Sequence, residues 1–132
     1  MNISEESKEK GRQVRQVLSG SASVRSASNS AGFDMVPELE DYALGINFGE
    51  IWSRPQLDIK TRCAVTIGIL VTLGVEPQIK SYVGYALNAG FKPEEVAEMF
   101  VQCISYAGLP RALNGLRAAG EVFAERGITA GA

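Results

Sequence analysis

The stretch DIKTRCAVTIGILVTLG, Asp58–Gly74, decides the fold. Asp58 is a plausible N-cap, because its carboxylate can accept the first free amides of a helix. Ala64, Ile67, Ile69, Leu70, Val71 and Leu73 then spread apolar side chains over nearly every face of the turns that follow. Gly74 is placed to end the helix in the left-handed conformation that glycine adopts without strain. The apolar run from Cys63 to Val75 is too short to span a bilayer and is interrupted by Thr66, Gly68, Thr72 and Gly74. It therefore reads as a core helix. A helix that is apolar all round must be covered all round. A chain of 132 residues with few other elements is expected to draw part of that cover from neighbouring copies of itself.

Outward from this helix the apolar spacing stays helical. Toward the N-terminus, GEIWSRPQL, Gly49–Leu57, breaks at Pro55 and reads as a loop. A helix is expected from about Pro37 to Phe48, with the proline in its first turn. SGSASVRSASNSAG, Ser19–Gly32, reads as a connector with one short helix around Ser23–Asn29. The first helix is expected from Ser4 to Leu18, with Glu5 and Glu6 where they suit the helix dipole. Toward the C-terminus three more helices are expected. They run over Pro77–Ala89, Pro93–Ala107 and Pro110–Arg126, and stop at Gly90, Gly108 and Gly127. The tail ITAGA is expected to fray. There is no alternating strand pattern and no internal repeat. The expectation is an all-α fold, a compact bundle of about six helices, forming one domain over residues 1–132.

Composition narrows the function. Hydrophobic residues make up 45% of the chain, enough for a packed core. The net charge of −2 offers nothing to a polyanion, so nucleic acid is not an expected partner. No basic amphipathic helix suggests a membrane surface. The opening MNISEESKEKGRQ has no apolar run, so no secretory signal and a cytoplasmic location are expected. Cys63 and Cys103 are far apart, form no C-x-x-C pair, and read as two free thiols. The chain has no histidine. The commonest metal ligand and general base are thus missing, and no metal is expected.

Three stretches in order resemble the carboxymuconolactone decarboxylase family. They are GEIWSRPQLDIKTRCAVTIGILVTLG (Gly49–Gly74), YALNAGFKPEEVAEMF (Tyr85–Phe100) and YAGLPRALNG (Tyr106–Gly115). The early GRQVRQVLSG is also similar to that family's opening. The resemblance covers nearly the whole chain and implies an oligomeric, all-helical, cofactor-free protein, a homotrimer or a homohexamer built from three dimers. Two departures stand out. Tyr82 and Gln102 occupy positions where the family usually carries histidine. The family's peroxidase-like branch is set aside by the missing C-x-x-C.

The reaction the resemblance implies removes carbon dioxide from an unsaturated lactone carboxylate. The electron pair left behind spreads into the lactone carbonyl, so no cofactor is needed. The protein must hold the carboxylate, stabilise the oxyanion and return a proton to carbon. Arg62 suits a carboxylate or oxyanion; the competing reading is an ion pair with Glu50 or Asp58. Glu50 becomes a proton-transfer group if it is buried beside Trp52; otherwise it is a salt-bridge partner of Arg54 or Arg62. Tyr82 can donate to a carbonyl, or simply pack. Gln102 and Tyr106 share a helix face at i, i+4 and serve either a pocket or an interface. The expected catalytic residues are Glu50, Tyr82 and Gln102. Arg62, Trp52 and Tyr106 are expected to bind substrate. The expected function is a cofactor-free proton-transfer enzyme acting on a conjugated, oxygen-rich carbonyl compound by decarboxylation, isomerisation or cyclisation. It would be a repurposed member suited to natural-product tailoring. The alternative is a non-catalytic ligand-binding or scaffolding member.

Overall fold

The computed structural model describes residues 2–20 and 31–131, and every regular element among them is helical. The short helix expected around Ser23–Asn29 lies outside the described residues. The chain divides into two compact units, one ending at Ile59 and the other beginning at Lys60.

In the first unit, α1 runs over Glu5–Ser19. Ser4 is its N-cap: extended backbone turns its hydroxyl oxygen to accept the Ser7 amide at 3.1 Å. Glu5 and Glu6 fill the first turn, as expected. Ser7, Gly11, Val14 and Leu18 make the buried stripe, with i, i+4, i+7, i+11 spacing. After α2 (Ala31–Asp34), α3 (Glu38–Tyr42) runs directly into a π-helical segment, Ala43–Trp52. Here the sequence expectation needs correcting. The helix does not stop at Phe48, and the loop begins after Trp52. Gly49 is a contact, not a break: a Cβ there would strike the Ser7 carbonyl oxygen. Facing it, a Cβ on Gly11 would strike the Leu44 carbonyl oxygen. Two bare backbones therefore touch, and this lets α1 lie against the π-helical segment along its length. Arg15 ties the pair to α3. Its guanidinium pairs with Glu40 and sits 5.2 Å from the centre of the Phe48 ring.

The second unit holds α4 (Ile59–Leu73, all but its first residue), α5 (Glu76–Asn88), α6 (Pro93–Ala107) and α7 (Leu109–Glu125). The expected stops at Gly74, Gly90, Gly108 and Gly127 all have positive φ. Glu95 accepts the Lys92 amide at 2.8 Å and so satisfies a donor at the start of α6. Gly115 lets α7 close on its neighbours; a Cβ there would meet the Phe100 ring at 2.8 Å and Val71 Cγ2 at 3.1 Å. Arg126 joins the ends of α5 and α7, donating to Asn88 Oδ1 at 2.9 Å and to the Gly84 carbonyl at 3.2 Å. Phe100, Ile67, Ile79, Val71 and Val83 are sealed in the core. Each such side chain contributes about 1.5–3 kcal/mol by leaving water.

The decisive helix is covered on one face by its own chain, and the sequence expectation assigns the rest of its cover to neighbouring copies. Within one chain only Cys63, Ile67 and Val71 of α4 are buried. Val65, Ile69 and Leu73 on the outer face are 53%, 55% and 62% exposed.

Burial pushes the Cys63 thiol up to about 12 and also raises that of Cys103, which is only half-buried. Since the thiolate is the reactive form, native protein at pH 8 is expected to take one iodoacetamide label, on Cys103. Both thiols should react in denaturant. Mass spectrometry checks this, and rapid double labelling of native protein would contradict the burial of Cys63. The sign for stability follows from the raised value. The unfolded chain loses the Cys63 proton first, so this contribution is lost as pH rises from about 9 toward 12.

Candidate functional site

In the first unit an open cleft of about 800 Å³ lies between α1 and the segment that leaves the π-helix. Lys10, Gln13, Val14 and Val17 line it from one face of α1, at i, i+3, i+4, i+7. Glu50, Trp52 and Arg54 line it from the other side. This volume suits a small-molecule site.

Trp52 is held in place: it is 6% exposed and packs at 5.9 Å, tilted, on Phe48. Glu50 is exposed, so the sequence expectation of a carboxylate buried beside Trp52 is not met in this chain. Its position is nevertheless fixed. The Ser4 hydroxyl donates to Ser7 Oγ at 3.0 Å, and the Ser7 hydroxyl donates to Glu50 Oε1. Ser7 is buried, so its hydroxyl needs a partner there, and Glu50 supplies one. The contact the structure shows for Glu50 is thus with a neutral hydroxyl, not with the guanidinium of Arg54 or Arg62.

The other four expected site residues stand in the second unit. Arg62 is half-buried, within the first turns of α4. Nearby, the Lys60 ammonium lies 4.7 Å from the centre of the Phe91 ring. Tyr82, half-buried on α5, meets Tyr85 edge to face at 5.0 Å. That ring contact is the packing role the sequence offers for it. Gln102 and Tyr106 are both exposed on α6, and Tyr106 is 86% exposed. Among the described residues no three His, Cys, Asp or Glu side chains come together as ligands of a metal would. Nor is any helix among them long and apolar enough to cross a membrane.

Sequence reasoning passed over Ser7, Lys10 and Gln13, and weighed Arg54 only as an ion-pair partner of Glu50. The available signal was the spacing of positions 10, 13, 14 and 17 on α1, a mixed polar and apolar edge beside the buried stripe.

Comparison with known proteins adds a second line. The model of the carboxymuconolactone decarboxylase family matches residues 37–121. A 4-carboxymuconolactone decarboxylase of Acinetobacter baylyi is 34% identical over 119 residues, 89% of this chain and 87% of that protein. An uncharacterized 15.0 kDa protein of Paracoccus denitrificans, from the nqo9-nqo10 intergenic region, is 36% identical over 121 residues, 84% of this chain and 90% of its own length.

Proposed function

The chain belongs to the carboxymuconolactone decarboxylase family, and from that premise we propose that it is a cofactor-free lyase or isomerase acting on a small, conjugated carbonyl or lactone substrate by proton transfer. The observation that carries this reading is the near-full-length similarity to a 4-carboxymuconolactone decarboxylase. In the lyase case the bond to the carboxylate carbon breaks and carbon dioxide leaves. The electron pair moves into the conjugated carbonyl, and a proton is returned to carbon. Glu50, exposed in one chain, carries that proton once a neighbouring copy covers it beside Trp52. Tyr82 and Gln102 donate hydrogen bonds to the oxyanion. Arg62 holds the carboxylate, while Trp52 and Tyr106 supply flat surfaces for the substrate. With no histidine in the chain, a natural-product intermediate is the substrate this reading favours over the aromatic-acid lactone.

Assembly and place belong to the same proposal. Three or six copies pack together through the exposed apolar faces, and the protein works in the cytoplasm. Gln102 and Tyr106, exposed in one chain, are then covered by neighbours.

The test is incubation in D2O with 4-carboxymuconolactone and a panel of conjugated lactones and β-keto acids. Carbon dioxide release and deuterium at the product carbon are followed by NMR. Turnover of at least one compound is expected. Arg62→Ala should then cost about a hundredfold, the scale of one well-aimed oxyanion donor. Tyr82→Phe keeps the ring, so it should lower turnover more than it lowers the melting temperature. Neither gas release nor deuterium incorporation with any compound would leave the non-catalytic binding or scaffolding role in its place.

A further inference from the structure

We propose that Ser7 is a positioning residue for Glu50: its buried hydroxyl holds Oε1 of that carboxyl group and leaves Oε2 as the oxygen that carries the proton. This rests on the functional reading above, in which Glu50 returns a proton to carbon. Ser7 stands on the buried stripe of α1, whose other members are Gly11, Val14 and Leu18. A hydroxyl on an otherwise apolar stripe needs a partner, and this one finds Glu50, 43 positions along the chain. Glu50 and Trp52 line the cleft of the first unit, and Ser7 does not. Ser7 therefore stands behind the carboxyl group and acts on a substrate only through it. The matched family region begins at residue 37, so the family match assigns nothing to Ser7.

The hold has a direction. Ser4 accepts the Ser7 amide at 3.1 Å and donates its own hydroxyl to Ser7 Oγ at 3.0 Å. With its oxygen engaged from that side, the Ser7 hydroxyl directs its single proton to Glu50 Oε1. The backbone beneath is equally fixed. A Cβ on Gly49 would strike the Ser7 carbonyl oxygen, so the residue next to Glu50 lies directly against Ser7. Among the described residues Oε2 has no partner. The chemistry follows from this division. In the acid form of Glu50 the oxygen that accepts from Ser7 is the carbonyl oxygen, and the proton sits on Oε2. Once carbon dioxide has left, the Oε2–H bond breaks, and the electron pair of the enolate forms the new C–H bond. The carboxylate that results keeps Ser7 on Oε1 and takes its next proton from water at Oε2. An exposed glutamate without this hold would spread its carboxyl group over several rotamers, and proton transfer needs the donor aligned with the carbon.

Two variants of the full-length protein test this. Ser7→Ala removes the hydroxyl, and Glu50→Asp keeps a carboxyl group but draws it back from Ser7. Ser7→Ala adds no volume and Glu50 is exposed, so circular dichroism should show both folded; Glu50→Asp carries the test if Ser7→Ala does not fold. The first readout needs no substrate. With 13C-labelled glutamate, the Glu50 carboxyl resonance is identified by its loss in Glu50→Gln, and it should move in Ser7→Ala while that of Glu121, on α7, stays. The second uses the panel compound that the parent turns over fastest. Ser7→Ala and Glu50→Asp should each lower kcat about tenfold, with KM within about twofold of the parent. The double variant should be no slower than the slower single, because both changes break one contact. The ratio of rates in H2O and D2O should rise in Ser7→Ala, since proton return becomes the slow step. A merely structural role for Ser7 would leave that ratio unchanged and give additive losses. An unmoved Glu50 resonance, a parent-like kcat in Ser7→Ala, an unchanged isotope ratio or additive losses would each overturn this proposal and leave the enzymatic reading standing. No turnover of any compound by the parent would overturn the enzymatic reading and this proposal with it, and a moved resonance would then report a structural contact.

Discussion

Replacing Gly11 with alanine is expected to destabilise the protein by about 3 kcal/mol, although alanine is the better helix former. The added methyl group would point at the Leu44 carbonyl oxygen, with the Gly49 amide nitrogen 3.3 Å away. Those are backbone atoms and cannot rotate aside. The only relief is to lift α1 from the π-helical segment. That opens the packing around Val14 and Leu18 and pulls Ser7 away from Glu50. Against this, the gain in helix propensity is only about 1 kcal/mol. The melting temperature should fall by roughly 10 °C, read by circular dichroism or calorimetry. Gly120→Ala is the control. Its Cβ would meet nothing within 4 Å, and Gly120 sits inside α7, so it should gain about 1 kcal/mol. If Gly11→Ala melts at or above the parent, the close backbone approach is not what joins these helices.

The same contact explains why part of the fold was hidden in the sequence. The helices on either side of Gly74, Gly90 and Gly108 were legible because apolar spacing and a following glycine are local signals. Gly49 carries the same letter with a different cause. It is glycine because Ser7 of another helix needs the space, a tertiary requirement that a local reading takes for a break. The helix consequently runs to Trp52, and the true stop is set by Pro55, which has no amide to donate.

The candidate site shows the same division. Glu50 and Trp52 were legible through the motif GEIW, and the structure sets both in one cleft. Lys10 and Gln13 were not. On α1 they look like ordinary solvated positions, and only the segment that leaves the π-helix turns that edge into a wall. The sequence also could not reveal that Ser7 would fix Glu50, because the pair is separated by 43 positions and by ten residues outside the described ones.

Replacing Ile69 with glutamate is expected to break the assembly while leaving the chain folded. Val65, Ile69 and Leu73 form an i, i+4, i+8 row on the outer face of α4, each more than half exposed. Leu109, Leu113 and Leu116 make a second exposed row on α7. Two such rows on one small unit exceed the scattered apolar exposure that is ordinary for a monomer. Packing against other copies is the reading that gives this surface a cover. A carboxylate at position 69 would then be driven into that contact without a partner. An uncompensated buried charge costs about 3–5 kcal/mol, which at the upper end weakens association more than a thousandfold. The buried face of α4, through Cys63, Ile67 and Val71, is untouched, so far-UV circular dichroism should be preserved. Light scattering should show the parent at three or six times 14.1 kDa and the variant at the monomer mass or close to it. Gln78→Glu, at an exposed position on α5, which carries neither row, should assemble like the parent. A parent protein that runs as a stable folded monomer at micromolar concentration ends the assembly proposal. It would also leave Gln102 and Tyr106 with no copy to cover them, so their assigned roles in substrate binding and catalysis would fall with it.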